Sequence, residues 1–98
     1  MSASIAIQVL PKVETDAEVV RIVDDVIAYI RSTGHNYQVG AFETTIEGES
    51  YEELMDIAKE CLKGAVRSGA PKVSAYIKAV YRPEGDILTI EQKTSKYQ

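Results

Sequence analysis

An α+β fold with its elements in the order β-α-β-β-α-β is predicted by three observations. Two apolar stripes at helical spacing each open on a Ser/Thr-x-x-Glu capping pattern, Thr15 with Glu18 and Ser50 with Glu53. Each stripe stops at a glycine, Gly34 and Gly69. The segments between and around them alternate side-chain character with the period of two that strands require. At 98 residues the chain holds one domain around one core.

Ser4 to Leu10 reads as the first strand, with Ile5, Ile7 and Val9 on one face and Ala6, Gln8 and Leu10 on the other; Pro11 ends it. A helix from about Asp16 to Ser32 follows, its stripe formed by Val19, Val23, Val26, Ile27 and Ile30. Asn36 to Phe42 alternates as a second strand and runs almost directly into Glu43 to Glu47, so a hairpin or sharp bend is expected near Ala41 to Glu43. The second helix spans about Tyr51 to Ser68 on Leu54, Ile57, Ala58, Cys61, Leu62, Ala65 and Val66. Lys72 to Arg82 is the last strand, with Val73, Ala75, Ile77 and Ala79 as its small apolar face. Pro83 to Asp86 is a turn. Ile87 to Gln98 has no decisive period and fits a short helix, a strand or a tail docked on a neighbour. This order is the ferredoxin-like arrangement, a four-stranded antiparallel sheet with both helices on one face.

The formal net charge of -4 argues against nucleic acid, which needs a basic footprint, and against an anionic membrane surface. No apolar run approaches the roughly 20 residues of a membrane span. No signal peptide is visible at the N-terminus. A single cysteine, Cys61, excludes an internal disulfide and suits a reducing cytoplasm. It lies on a helical stripe, where a buried inert thiol is expected.

The sheet face away from the helices is then predicted to carry Ala6, Gln8 and Leu10, then Glu43, Thr45 and Glu47, then Tyr76, Lys78, Val80 and Arg82. It is either a solvated face or one covered by a second copy of the chain. A pocket between two such faces would hold carboxylates, hydroxyls, an amide and tyrosines, a set suited to a cationic or amide-rich heteroaromatic ligand. Phosphate is less well served, because no glycine-rich loop precedes a helix. No catalytic constellation assembles. His35 is the only histidine, and no ligand spacing supports a metal site. Glu43 and Glu47 would lie roughly 13 Å apart along a strand, too far for one acid–base pair. RNA-recognition domains share this element order but need central aromatics and a basic surface, where this chain offers Gln8 and Thr45.

Three stretches carry a resemblance. Ser4-Ile5-Ala6-Ile7-Gln8-Val9-Leu10-Pro11, Gly40 to Glu49 with Thr44-Thr45-Ile46-Glu47-Gly48 at its centre, and Val73 to Arg82 resemble the YkoF-like thiamine-binding proteins. These are small ferredoxin-like domains long carried as an uncharacterised family. The similarity covers nearly the whole chain, including Lys93. It implies a non-catalytic binder of thiamine or its hydroxymethylpyrimidine portion. It also implies homodimers built through sheet contact that pair into homotetramers, with ligand at or near subunit interfaces. Thr44 and Glu47 match the family's Thr-x-Ile-Glu-Gly pattern, and Arg82 its last-strand arginine. Two positions depart from the pattern: Pro11-Lys12-Val13 stands where many relatives have a Pro-Leu-Gly-like turn, and Ala79-Val80 where many carry an acid shortly before the arginine. Alternation turns Thr44 toward the core with Ile46, whereas the resemblance flags it; a bulge near Glu43 would reconcile the two.

The expected ligand set is therefore Glu43 or Glu47 toward the aminopyrimidine or the thiazolium charge, and Gln8, Thr44 and Thr45 as hydrogen-bonding groups. Tyr37 or Tyr76 would stack, and Arg82 comes from the family pattern. Thiamine is expected as ligand with no separate cofactor, and a cytoplasmic location is expected. The alternative from another class is an interaction module that assembles through its open sheet face and ignores thiamine.

Overall fold

A computed structural model of the chain describes residues 1–98. Its elements are β1 (Ala3–Pro11), α1 (Asp16–Ser32), β2 (Asn36–Val39), β3 (Thr44–Gly48), α2 (Tyr51–Arg67), β4 (Val73–Tyr81) and a short α3 (Ile90–Thr94), followed by a 3₁₀ turn at Ser95–Tyr97. The four strands form one antiparallel sheet in the order β2-β3-β1-β4. The ferredoxin-like α+β fold is as the sequence predicts.

Both anticipated caps are present. The Thr15 hydroxyl accepts from the Glu18 N–H at 3.2 Å and the Ser50 hydroxyl from the Glu53 N–H at 3.1 Å, each satisfying a donor the helix start leaves free. Gly34 and Gly69 stop the helices with φ of 78° and 120°, a backbone region that β-carbons disfavour. Register fixes which side chains share a face. Ile5 opposes Ile46 and Ala79, and Ile7 opposes Thr44 and Ile77, on the side facing the helices. Of these, Ile5, Ile7 and Ile46 meet Ile22, Val26 and Ile30 of α1 and Leu54, Ile57, Ala58, Cys61 and Ala65 of α2 in the core. Burial pushes the Cys61 thiol up to about 11, so at neutral pH it is an unreactive packing group.

Four expectations change. Strand pairing runs without interruption from Ala3 opposite Gly48 to Ile7 opposite Thr44, so no bulge shifts the register, and Thr44 stays on the helix side. The second strand ends at Val39 rather than Phe42, while the hairpin turn lies where it is expected, at Gly40 to Glu43, closed by the Gly40 N–H donating to the Glu43 carbonyl at 2.9 Å. The apolar face of β4 is only partly covered: Val73 and Ala75 pack against the core and Tyr81 stacks on Tyr51 of α2 at 5.0 Å, whereas Ile77 and Ala79 lie exposed on this edge strand. Arg82 lies just past β4, in the turn that follows it.

The opposite sheet face is not fully open either. Residues 87–98 fold back onto it at the β3 end. The Ile87 N–H donates to the Met1 carbonyl at 2.9 Å, and Ile90 is buried at the start of α3. Beneath them Ser4 and Glu47, direct partners in the ladder, are buried as well.

Candidate functional site

On the helix side, α1 is apolar over more of its surface than the core can use. At about 100° per residue, Tyr29, Ile22, Val26, Val19, Ile30, Val23, Ile27 and Val20 sweep roughly half the helix circumference. The core takes Ile22, Val26 and Ile30, while Val19, Val23 and Ile27 are only half-buried and Val20 is exposed. The surplus borders a cleft of about 340 Å³ between α1 and the sheet. Its sheet wall is Ile7, Val9 and Thr44, and the hairpin residues Val39 to Glu43 form its end. That volume lies within the range of small-molecule sites, roughly 300–1,000 Å³, and the lining is mainly apolar with a few polar groups, as such sites are.

The polar groups are informative. Thr44 is buried at 7% exposure, yet no hydrogen bond engages its hydroxyl; no polar side-chain atom of the fold is sealed away unsatisfied, so this hydroxyl opens onto the cleft. Asp24 contributes a carboxylate from α1. Phe42, the only phenylalanine of the chain, stands 80% exposed at the hairpin tip.

Of the residues singled out from sequence, the cleft brings together Gln8, Glu43 and Thr44. Gln8 and Glu43 belong by alternation to the far face, so they border the cleft from the rim of the sheet. Glu43 reaches across β1 to Lys78, its Oε1 accepting from Nζ at 2.9 Å. Thr45 lies on the far face opposite Ala6 and Gln38. Glu47 is 2% exposed and occupied at both oxygens, with Oε1 accepting from Asn36 Nδ2 at 2.6 Å and Oε2 from the Ile90 N–H at 2.8 Å. The Tyr37 hydroxyl accepts from Arg31 Nε at 3.0 Å. Tyr76 is 68% exposed on the edge strand, and Arg82 donates to the Glu84 and Asp86 carbonyls, tying its own turn. His35 sits with Nε2 3.2 Å from a Glu53 oxygen and Nδ1 3.3 Å from the Thr33 hydroxyl, a local tie at the α2 start. No group of three or more His, Cys, Asp or Glu side chains converges as a metal site.

Sequence reasoning missed Asp24 and Phe42. The signal for both was available: an apolar arc on α1 too wide for one packing face, with an acid about 40° beyond its Val20 edge, and a lone phenylalanine beside a turn.

The family model for thiamine-binding proteins matches residues 5–98. The chain belongs to the thiamine-binding protein family. A UPF0045 family protein from Clostridium perfringens is 36% identical over 97 residues, covering 99% of this chain and 98% of that one. Among solved structures, a domain of unknown function from Bacillus cereus (DUF77) superposes with a TM-score of 0.86 at 36% identity, over 100% of this chain and 91% of that one. A Thermotoga maritima protein provisionally assigned to thiamine biosynthesis or salvage gives a TM-score of 0.84 at 36% identity, with complete coverage of both chains. Membership of the thiamine-binding family supports a thiamine-related role.

Proposed function

We propose that the chain binds thiamine, or its hydroxymethylpyrimidine portion, reversibly and without transforming it. The single observation that carries this is the cleft formed where α1 presents more apolar surface than the core consumes, directly beside the Thr44–Gly48 strand. Its slot suits a flat ring. Thr44 supplies a hydroxyl able to donate or accept, and the acids at its border suit an aminopyrimidine or a cationic ring. The cleft lining holds no serine, cysteine, histidine or lysine, which favours binding over catalysis. The ligand itself is the only small molecule the site calls for, and the absence of any helix able to cross a membrane is compatible with a cytoplasmic site of action.

The binding form is a homo-oligomer, dimers pairing into tetramers. β4 is a nine-residue edge strand with exposed Tyr76, Ile77, Val80 and Tyr81, and its one lysine, Lys78, is tied to Glu43. Soluble proteins normally blunt such edges, so an unblunted one suits pairing with a second copy. Exposed Leu10, Val20, Val39 and Phe42 ring the cleft mouth, an apolar rim that a neighbouring subunit would cover. The ligand would then lie at or near a subunit boundary.

Isothermal titration with thiamine and, separately, with hydroxymethylpyrimidine tests this, with oligomer mass recorded on the same sample. Saturable micromolar binding by an oligomer is expected. The same edge strand also favours a second reading, an interaction module without a small-molecule ligand. A stable oligomer that gives no heat with either compound would establish that reading instead. Lysine at both Tyr76 and Val80 is expected to reduce the assembly to 10.8 kDa monomers in light scattering; an unchanged mass would remove β4 from the interface.

A further inference from the structure

We infer that the cleft selects an aromatic cation by means of Asp24 and excludes phosphorylated forms of the same molecule. This rests on the cleft being the ligand site proposed above. Its lining contains no lysine, arginine or histidine, and its charged members are both acids, Asp24 and Glu43.

The two acids are not equivalent. Glu43 is neutralised by Lys78 at 2.9 Å. Asp24 has no ion pair and no hydrogen bond. The nearest basic side chain on its helix, Arg21, is committed elsewhere: it forks onto Glu18 at 3.2 and 3.1 Å, donates to the Ser68 carbonyl at 2.9 Å and lies 3.9 Å from Asp25. Arg31 donates to Tyr37. Asp24 is therefore an uncompensated negative charge beside an apolar slot, and the exposed Phe42 ring stands at the same cleft.

These features sort ligands by charge. A neutral flat ring enters between Val23, Ile27 and Thr44. A positive charge attached to it stays near the mouth, where a carboxylate attracts it and an aromatic face adds a cation–π contact. A phosphate at the same place would meet the acid with no cation to receive it, and like charges juxtaposed across a binding surface disfavour the complex. In a reaction sequence the site thus stands before phosphoryl transfer to the ligand's hydroxyl, or after a hydrolysis that releases phosphate from it.

The test is titration of the full chain and of Asp24→Asn and Asp24→Lys with thiamine, hydroxymethylpyrimidine and thiamine monophosphate. Asp24 is exposed on a helix, and equal thermal melts would verify that all three proteins are folded. The unaltered chain is expected to favour thiamine over its monophosphate by at least about tenfold. Asp24→Asn should lower the ratio of thiamine to hydroxymethylpyrimidine affinity about fivefold, the size of a partly solvated charge contact. Asp24→Lys should reverse the preference toward the monophosphate. Equal affinity for thiamine and its monophosphate, or a ratio unmoved in Asp24→Asn, overturns the inference. If none of the three compounds binds the unaltered chain, the thiamine reading fails on its own, and N-benzylpyridinium and benzyl phosphate become the probes. Binding of the cation that weakens in Asp24→Asn then upholds charge selection; no binding, or a preference for the phosphate, overturns it.

Discussion

Glu47→Ala is expected to lower folding stability by about 3 kcal/mol and to detach the C-terminal segment from the sheet. Hydrogen bonds to charged groups contribute roughly 1.5–3 kcal/mol each, and this side chain accepts two, from Asn36 and from the Ile90 N–H. The two losses are unequal. Asn36 is exposed and can turn to water, whereas the Ile90 N–H is buried and would be left without a partner. Glu47→Gln, which keeps an acceptor oxygen, should lose about half as much. Urea denaturation measures the stability, and amide exchange at Ile90 to Thr94 reports the docking of α3. A Glu47→Ala protein that melts like the parent and still protects Ile90 would show that the carboxylate is not the clamp.

Val23→Phe should abolish ligand binding while leaving the fold intact. Val23 is half-buried and faces the cleft rather than the centre of the core, so a larger ring occupies free space instead of straining packed neighbours. With the slot filled, thiamine affinity is expected to fall at least about 100-fold, equivalent to ~2.7 kcal/mol. Titration gives the affinity and circular dichroism the melting temperature. Undiminished binding in a normally folded Val23→Phe protein would move the site away from this cleft.

The fold was legible because its signals are local and agree with one another. Capping residues, glycine stops and two periodicities each specify one element, and the element order leaves little choice of topology. Alternation also placed Glu43, Thr45 and Glu47 correctly on the face away from the helices, and Thr44 on the face toward them. What alternation cannot say is what later covers a face. The C-terminal segment has too few apolar residues to show a period, although Thr89 and Gln92 form a full capping box there, a pattern the sequence displays openly. The cleft was hidden for a related reason. Period identifies an apolar arc but not how much of it a neighbour will reach, and only the assembled layers reveal that Val19, Val23 and Ile27 are left over. β4 shows the converse: its apolar alternation is real, but at the sheet edge α2 covers only part of that face and leaves Ile77 and Ala79 exposed.

The hairpin at Gly40 to Glu43 sets the far end of the cleft without contributing to the core cluster. A β-carbon at Gly40 would sit 3.0 Å from the Glu43 carbonyl, a tight contact that a side chain there would relieve by opening the turn a few tenths of an ångström. Because loops tolerate insertion far better than packed layers do, this turn can lengthen or change sequence while both helices and all four strands stay as they are. The domain therefore shapes the end of the cleft with Ala41, Phe42 and Glu43, three positions that can change without touching the packed core.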